Sequence, residues 1–185
     1  QQQNGGRFGF QVNNNADRPV RPFRIYAGRD GKTVTIPPGL YKWWEWAPSL
    51  ATDPSAPVFV STQVTVGNFY DGERKQFNVE LGAQSRGKFQ ASLGYIRNDV
   101  ELPYGDFVTD LARLRATYSF TPRILLQALV QYNSDNQQWT SNLRFNIIHR
   151  PLSDFFLVYN ERRDERTGQM LSRAVIAKMT YLMAF

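Results

Sequence analysis

The stretch Trp139-Thr140-Ser141-Asn142-Leu143-Arg144-Phe145-Asn146-Ile147 decides the fold class. Trp139, Ser141, Leu143, Phe145 and Ile147 fall on one side of an extended chain, and Thr140, Asn142, Arg144 and Asn146 on the other. Successive strand side chains point to opposite faces, so this order gives one apolar and one polar face, whereas a helix would mix the two sets. The same period runs outward in both directions. Ile124, Leu126, Ala128, Val130 and Tyr132 oppose Leu125, Gln127, Leu129 and Gln131. Ala112, Leu114, Ala116, Tyr118 and Phe120 oppose Arg113, Arg115, Thr117 and Ser119. Phe89, Ala91, Leu93 and Tyr95 oppose Lys88, Gln90, Ser92 and Gly94, and Phe77, Val79, Leu81 and Ala83 oppose Gln76, Asn78, Glu80 and Gly82. Val58 to Val66 alternates in the same way.

Four segments are less regular. Phe8, Phe10 and Val12 alternate with Gly9, Gln11 and Asn13. Leu40 to Leu50 carries Trp43, Trp44 and Trp46 on both faces, which leaves its orientation open. Phe155, Leu157 and Tyr159 alternate with Phe156, Val158 and Asn160. Val175, Ala177, Met179, Tyr181, Met183 and Phe185 face away from Ile176, Lys178, Thr180 and Leu182. The sequence therefore predicts an all-β chain of about ten strands and no helix.

The connections form two alternating sets. One is short or proline-bearing: 53–55, 84–87, 121–122 and 150–154. The other is mostly longer and rich in Gly, Asp and Asn: 67–73, 99–106, 133–138, 163–171 and the long 15–39 segment. Asp, Asn and Gly tolerate positive φ and Pro presets φ, which suits these residues to turns. Residues 1–185 read as a single domain, an antiparallel up-and-down meander with 15–39 as a long loop.

Composition narrows the class. The chain has 185 residues, 22 Lys+Arg against 16 Asp+Glu, a net charge of +6 and 14% aromatic residues. No apolar run approaches the roughly 18 residues of a membrane-spanning helix. The absence of cysteine removes disulfides, thiolate metal sites and thiol nucleophiles. Gln1 to Gly6 lacks the charged and apolar regions of a signal peptide, so the sequence reads as a mature chain or a piece of something longer.

Alternation fits both a soluble β-sandwich and a membrane barrel. Strand segments of about 9–12 residues are long enough to cross a bilayer when tilted, and soluble strands average about 5–6. Short and long connections alternate, and aromatic residues collect near strand ends (Tyr95, Tyr118, Phe120, Tyr132, Trp139), as in transmembrane barrels. The ending Met179, Tyr181, Met183, Phe185 resembles the terminal-strand assembly signal of Gram-negative outer-membrane barrels. The expected architecture is a transmembrane β-barrel of about ten strands, either complete or the last part of a larger barrel. Both termini would be periplasmic and 15–39 extracellular. The expected lumen-lining residues are Arg74, Asn78, Glu80, Lys88, Arg113, Arg115, Gln127, Gln131, Asn142, Arg144, Asn146 and Lys178.

Several short stretches carry a family resemblance: Gly67-Asn68-Phe69-Tyr70-Asp71-Gly72, Arg97-Asn98-Asp99-Val100-Glu101-Leu102-Pro103, Gly105-Asp106-Phe107, Val130-Gln131-Tyr132-Asn133-Ser134, Phe156-Leu157-Val158-Tyr159-Asn160-Glu161 and Lys178 to Phe185. From about Gly67 onward the chain resembles the C-terminal barrel region of large bacterial outer-membrane proteins of unassigned function. These often carry an N-terminal family 9 carbohydrate-binding module. That module is absent from this sequence, so the resemblance implies a barrel and transfers no sugar site.

The chemistry expected of the chain is non-enzymatic. Basic residues are dispersed singly along strands, without the cluster or recognition helix of a nucleic-acid binder. The only histidine, His149, lies at a strand end on the face of Phe145 and Ile147, without the partners a hydrolase needs. Acid pairs such as Asp71/Glu73 and Asp164/Glu165 fall in turns. Asp71-Gly72 and Ser134-Asp135-Asn136 supply too few ligands for calcium. No cofactor is expected. The expected partners are the lipid bilayer and the barrel-assembly machinery, with small anionic solutes or glycans as cargo. The expected function is an outer-membrane pore or transport component with a net-basic lumen. The alternatives are the membrane anchor of a larger glycan-binding surface protein, or a soluble β-sandwich binding module.

Overall fold

The computed structural model of the chain describes residues 5–29, 31–85, 87–150 and 153–181. Twelve strands and no helix occur among them: β1 (Arg7–Asp17), β2 (Phe23–Ala27), β3 (Thr33–Ile36), β4 (Tyr41–Ala51), β5 (Val58–Phe69), β6 (Gly72–Ser85), β7 (Phe89–Glu101), β8 (Phe107–Thr121), β9 (Ile124–Asn133), β10 (Gln138–Arg150), β11 (Ser153–Asp164) and β12 (Met170–Thr180). Ten of them build one antiparallel sheet in the order β1-β4-β5-β6-β7-β8-β9-β10-β11-β12. β2 and β3 form a separate hairpin. The all-β meander expected from the alternation is present.

Closure is where the structure departs from the expected barrel. Among the described residues β1 pairs only with β4, and β12 only with β11, so the sheet they form is not closed between its two edge strands. An open edge leaves a row of backbone N–H and C=O groups free for another strand. Two local expectations also change. The 67–73 connection is a two-residue turn, Tyr70-Asp71, because β5 continues to Phe69 and β6 begins at Gly72. Tyr70 takes φ 51°, which allows the tight reversal. The 15–39 segment is organised: it contains the end of β1 and the β2–β3 hairpin.

The register carries one face across the whole sheet. Glu80 lies opposite Ser61 and Gly94, Gly94 opposite Arg113, Arg113 opposite Gln131, Gln131 opposite Thr140, and Thr140 opposite Arg162. On the reverse face the matching row is Val79, Tyr95, Ala112, Tyr132, Trp139 and Arg163.

The polar face is concave, as the β2–β3 hairpin demonstrates. Val34 and Ile36 of β3 are fully buried in a cluster with Tyr41 and Trp43 of β4 and with Val100 and Leu102 at the end of β7. Tyr26 of β2 stacks on Phe107 of β8, with centroids 4.7 Å apart. Just beyond β2, Arg29 forms an ion pair with Asp164 at the end of β11. In a flat sheet β4 and β11 would be separated by seven strand spacings of about 4.8 Å, roughly 34 Å. A hairpin with strands of five and four residues reaches both only if the sheet curls around it.

Close strand contact imposes one glycine. A Cβ on Gly67 would stand 2.2 Å from the Trp44 carbonyl oxygen and 2.7 Å from the Glu45 Cα, both backbone atoms of β4. Gly67→Ala is therefore expected to push β4 and β5 apart, at about 1–3 kcal/mol. Urea unfolding of the refolded protein, followed by tryptophan fluorescence, measures this.

Candidate functional site: a polar concave face under a hairpin cap

All the expected lumen residues on strands lie on the concave face. Arg74, Asn78 and Glu80 come from β6, Arg113 and Arg115 from β8, and Gln127 and Gln131 from β9. β10 contributes Asn142, Arg144 and Asn146, and β12 contributes Lys178. Lys88 stands in the turn before β7, beside a cavity at that end of the face. The concave face also carries apolar groups among the polar ones. Leu129 lies opposite Arg115 and Asn142, Val158 opposite Arg144 and Ile176, and Phe156 opposite Asn146 and Lys178.

The tryptophan orientation left open by the sequence is settled by burial. Tyr41, Trp43, Glu45 and Ala47 are buried on the concave side, while Trp44 and Trp46 are exposed on the convex side. Burial had no sequence signal here, because the hairpin that covers Trp43 comes from a different part of the chain.

The hairpin end of the face is closed. Trp43, Phe69, Tyr70 and Tyr41 form a contiguous aromatic cluster with centroids 4.9–5.7 Å apart, and Phe23 of β2 joins it through Tyr70 at 5.9 Å. Beneath it Arg74 Nη2 and Glu45 Oε1 form an ion pair at 2.5 Å, with the Glu45 side chain 6% exposed. Asn15 Nδ2 donates to Glu45 Oε2 at 3.0 Å, and the Arg74 guanidinium lies 4.8 Å from the Phe69 ring centroid. A buried carboxylate is tolerated when it is paired and hydrogen-bonded in this way. Halfway along the face Arg113 and Glu80 approach to 3.5 Å. The Asn142 amide donates to Asn160 across β10 and β11.

Asp164 holds the cap from the far side. It accepts from the backbone N–H groups of Arg166 and Thr167, each at 3.0 Å, and its other oxygen meets Arg29. The same carboxylate thus shapes the β11–β12 turn and anchors the hairpin. Lys32 adds a 4.0 Å approach to Asp106 in the β7–β8 connection. Nearby, Tyr104 donates to Asp71 at 2.5 Å, and this hydrogen bond to a carboxylate raises the phenol above its ordinary range.

The convex face has a layered chemistry. Its middle is apolar and exposed: Val64, Phe77, Leu81, Leu93, Leu114, Leu126, Leu143 and Leu157 are all at least 37% exposed. Toward the cap end comes a row of rings, Tyr95, Tyr132, Trp139 and Tyr159. The tyrosine hydroxyls point into a charged collar: Tyr95 donates to Asp110 at 2.6 Å, Tyr132 to Glu165 at 2.5 Å, and Tyr159 to Glu161. The collar continues as Lys75–Glu101 at 3.9 Å, Arg97–Asp110 at 3.3 Å, and Arg163 and Arg173 on Glu161 at 2.9 and 3.0 Å. At the turn end Phe8, Phe89, Tyr118, Phe120 and Phe155 are exposed on the same face, Tyr118 and Phe120 in edge contact at 4.8 Å.

Met179 and Tyr181 are exposed, and Met183 and Phe185 lie outside the described residues. His149 is exposed. Among the described residues no group of three or more His, Asp or Glu side chains could hold a metal ion. A scan against protein-family models, a search of curated proteins and a search of solved structures each returned no match.

Proposed function

We propose that the chain is the barrel-forming part of a non-enzymatic outer-membrane protein of a Gram-negative-type bacterium. The concave face would line a pore or transport path, and the β2–β3 hairpin would close its outer mouth. The observation that carries this reading is the convex face. An exposed apolar belt, bounded by tyrosines whose hydroxyls meet a charged collar, matches hydrocarbon flanked by headgroups. In water the same belt would be a contiguous apolar patch running across seven strands, β5 to β11, of the kind that marks an interaction surface. A cation-rich interior lowers the barrier to anions and raises it for cations. In planar lipid bilayers the refolded protein is expected to conduct with anions favoured, read from the reversal potential in a salt gradient. Cation preference would remove the lumen-charge argument. Solubility without detergent, with no heat-dependent gel shift, would remove the membrane argument and favour the soluble sandwich.

A second reading is that the chain anchors a larger surface protein that binds glycans. The open β1 and β12 edges favour it, since in lipid each must be paired by further strands. The family resemblance of the segment from Gly67 onward points the same way. A coding sequence that continues upstream of Gln1 into more strands and a sandwich module would support the anchor.

A further inference from the structure

The concave face is closed at one end and cavernous at the other. At the turn end lies a cavity of about 700 Å³, lined by residues of the β4–β5 and β6–β7 turns and by β6, β7 and β8. That volume falls within the range of roughly 300–1,000 Å³ typical of small-molecule sites. We infer that this cavity, with Lys88 and the neighbouring Arg115, is a binding site for a small hydroxylated anion, one that carries a phosphate or carboxylate on a polyhydroxy body. The inference rests on the concave face being the protein's polar interior, as proposed above.

The first argument is charge. Acids on the concave face are already engaged: Asp17 accepts from Tyr70, Glu45 pairs with Arg74, Glu80 with Arg113, and Asp164 with Arg29. Asp154 sits on β11, three strands away from β8. Lys88 and Arg115 have no ion-pair partner among the described residues, and both are exposed. Lys88 lines the cavity. Arg115 lies two residues from Thr117, a lining residue, on the same face of β8, so their Cα atoms are about 7 Å apart. A guanidinium arm spans that distance. Lys88 stands beside Ser119, four residues along β8 from Arg115, so the two long cationic side chains can meet one anion from opposite sides with charge-assisted hydrogen bonds.

The second argument is the rest of the wall. Ser55, Gln84, Gln90, Thr117 and Ser119 present hydroxyls and amides. These groups both donate and accept, as sugar-like hydroxyls do. Part of the wall is held in place. Gln84 Nε2 donates to the carbonyls of Pro54 and Ala56 at 2.9 and 3.0 Å, and Ser55 donates through its amide and hydroxyl to Asp53. The latter contacts, hydroxyl first, hold the Asp53 carboxyl below its ordinary range. Among the described lining residues there is no carboxylate, and the nearby Asp53 is occupied by the Ser55 amide and hydroxyl.

Calorimetric titration of the full chain in lipid nanodiscs at fixed ionic strength tests this, with glucose 6-phosphate, inorganic phosphate and glucose as probes. The sugar phosphate should bind about tenfold or more tighter than either fragment probe, since only it uses both the cations and the hydroxyls. Lys88→Gln with Arg115→Gln should abolish that advantage. Thr117→Val should weaken the sugar phosphate and leave inorganic phosphate unchanged, which guards against a misfolded double variant. Lys75→Gln on the convex collar should change nothing. Equal affinity for the three probes, or an unaltered double variant, would overturn the site. Because the readout does not require conduction, a chain that binds but carries no current would sink the pore and keep the site.

Discussion

On the proposed pore reading, replacing residues 22–37 with a short Gly-Ser linker is expected to raise single-channel conductance roughly threefold or more, because the hairpin then no longer obstructs the mouth. The hairpin is no surface ornament. Its own Val34 and Ile36 are fully buried against the main sheet, and burying each such side chain stabilises the docked state by about 1.5–3 kcal/mol. The Tyr26–Phe107 stack and the Arg29–Asp164 pair add to that hold. Thermal undocking should therefore be rare, and the intact protein should show small, long-lived conductance levels. Arg29→Gln removes only one attachment, so brief openings should appear without the full increase. The deletion should not prevent folding, since the ten-stranded sheet is paired without β2 or β3. An unchanged conductance in the deleted protein would show that the hairpin does not obstruct the path.

Leu114→Arg and Arg115→Leu alter adjacent residues in opposite directions, and their expected outcomes are opposite. Leu114 is 47% exposed in the middle of the convex belt. On the proposed reading an arginine there faces hydrocarbon and costs about 2–4 kcal/mol of folding stability. Arg115 is on the concave face, where leucine gives up one cation and leaves the belt intact. Folding into lipid vesicles, followed by the heat-dependent gel shift and by urea titration, should show the first variant strongly impaired and the second near wild type. Anion preference should fall only in the second. If the two variants were equally stable in vesicles, the convex face would not be meeting lipid.

The residues that made the fold legible are the alternating ones. Trp139 to Ile147 on β10, Ala112 to Phe120 on β8 and Phe77 to Ala83 on β6 each declare a face locally, because period two is a property of one strand alone. The turn chemistry was equally local, and the meander follows from it. The candidate site was legible by halves. Arg74, Glu80, Arg113 and Arg115 could be assigned to one face from their spacing, but no spacing reveals that Glu45 neutralises Arg74, Glu80 faces Arg113 and Arg115 is left unmatched. Those pairings join residues 29 and 33 positions apart in the chain.

By itself, then, the sequence determined the strand class, the strand order and the division of side chains into two faces, all of which depend on neighbours a few residues apart. Tertiary structure alone decided which tryptophan of the Trp43-Trp44 pair is buried, that 15–39 folds into the concave end, and that β1 and β12 are not paired among the described residues. Each of these depends on contacts between distant segments. A buried Val34 or a latched Asp164 exists only once β4, β8 and β11 have been curved around the same short hairpin.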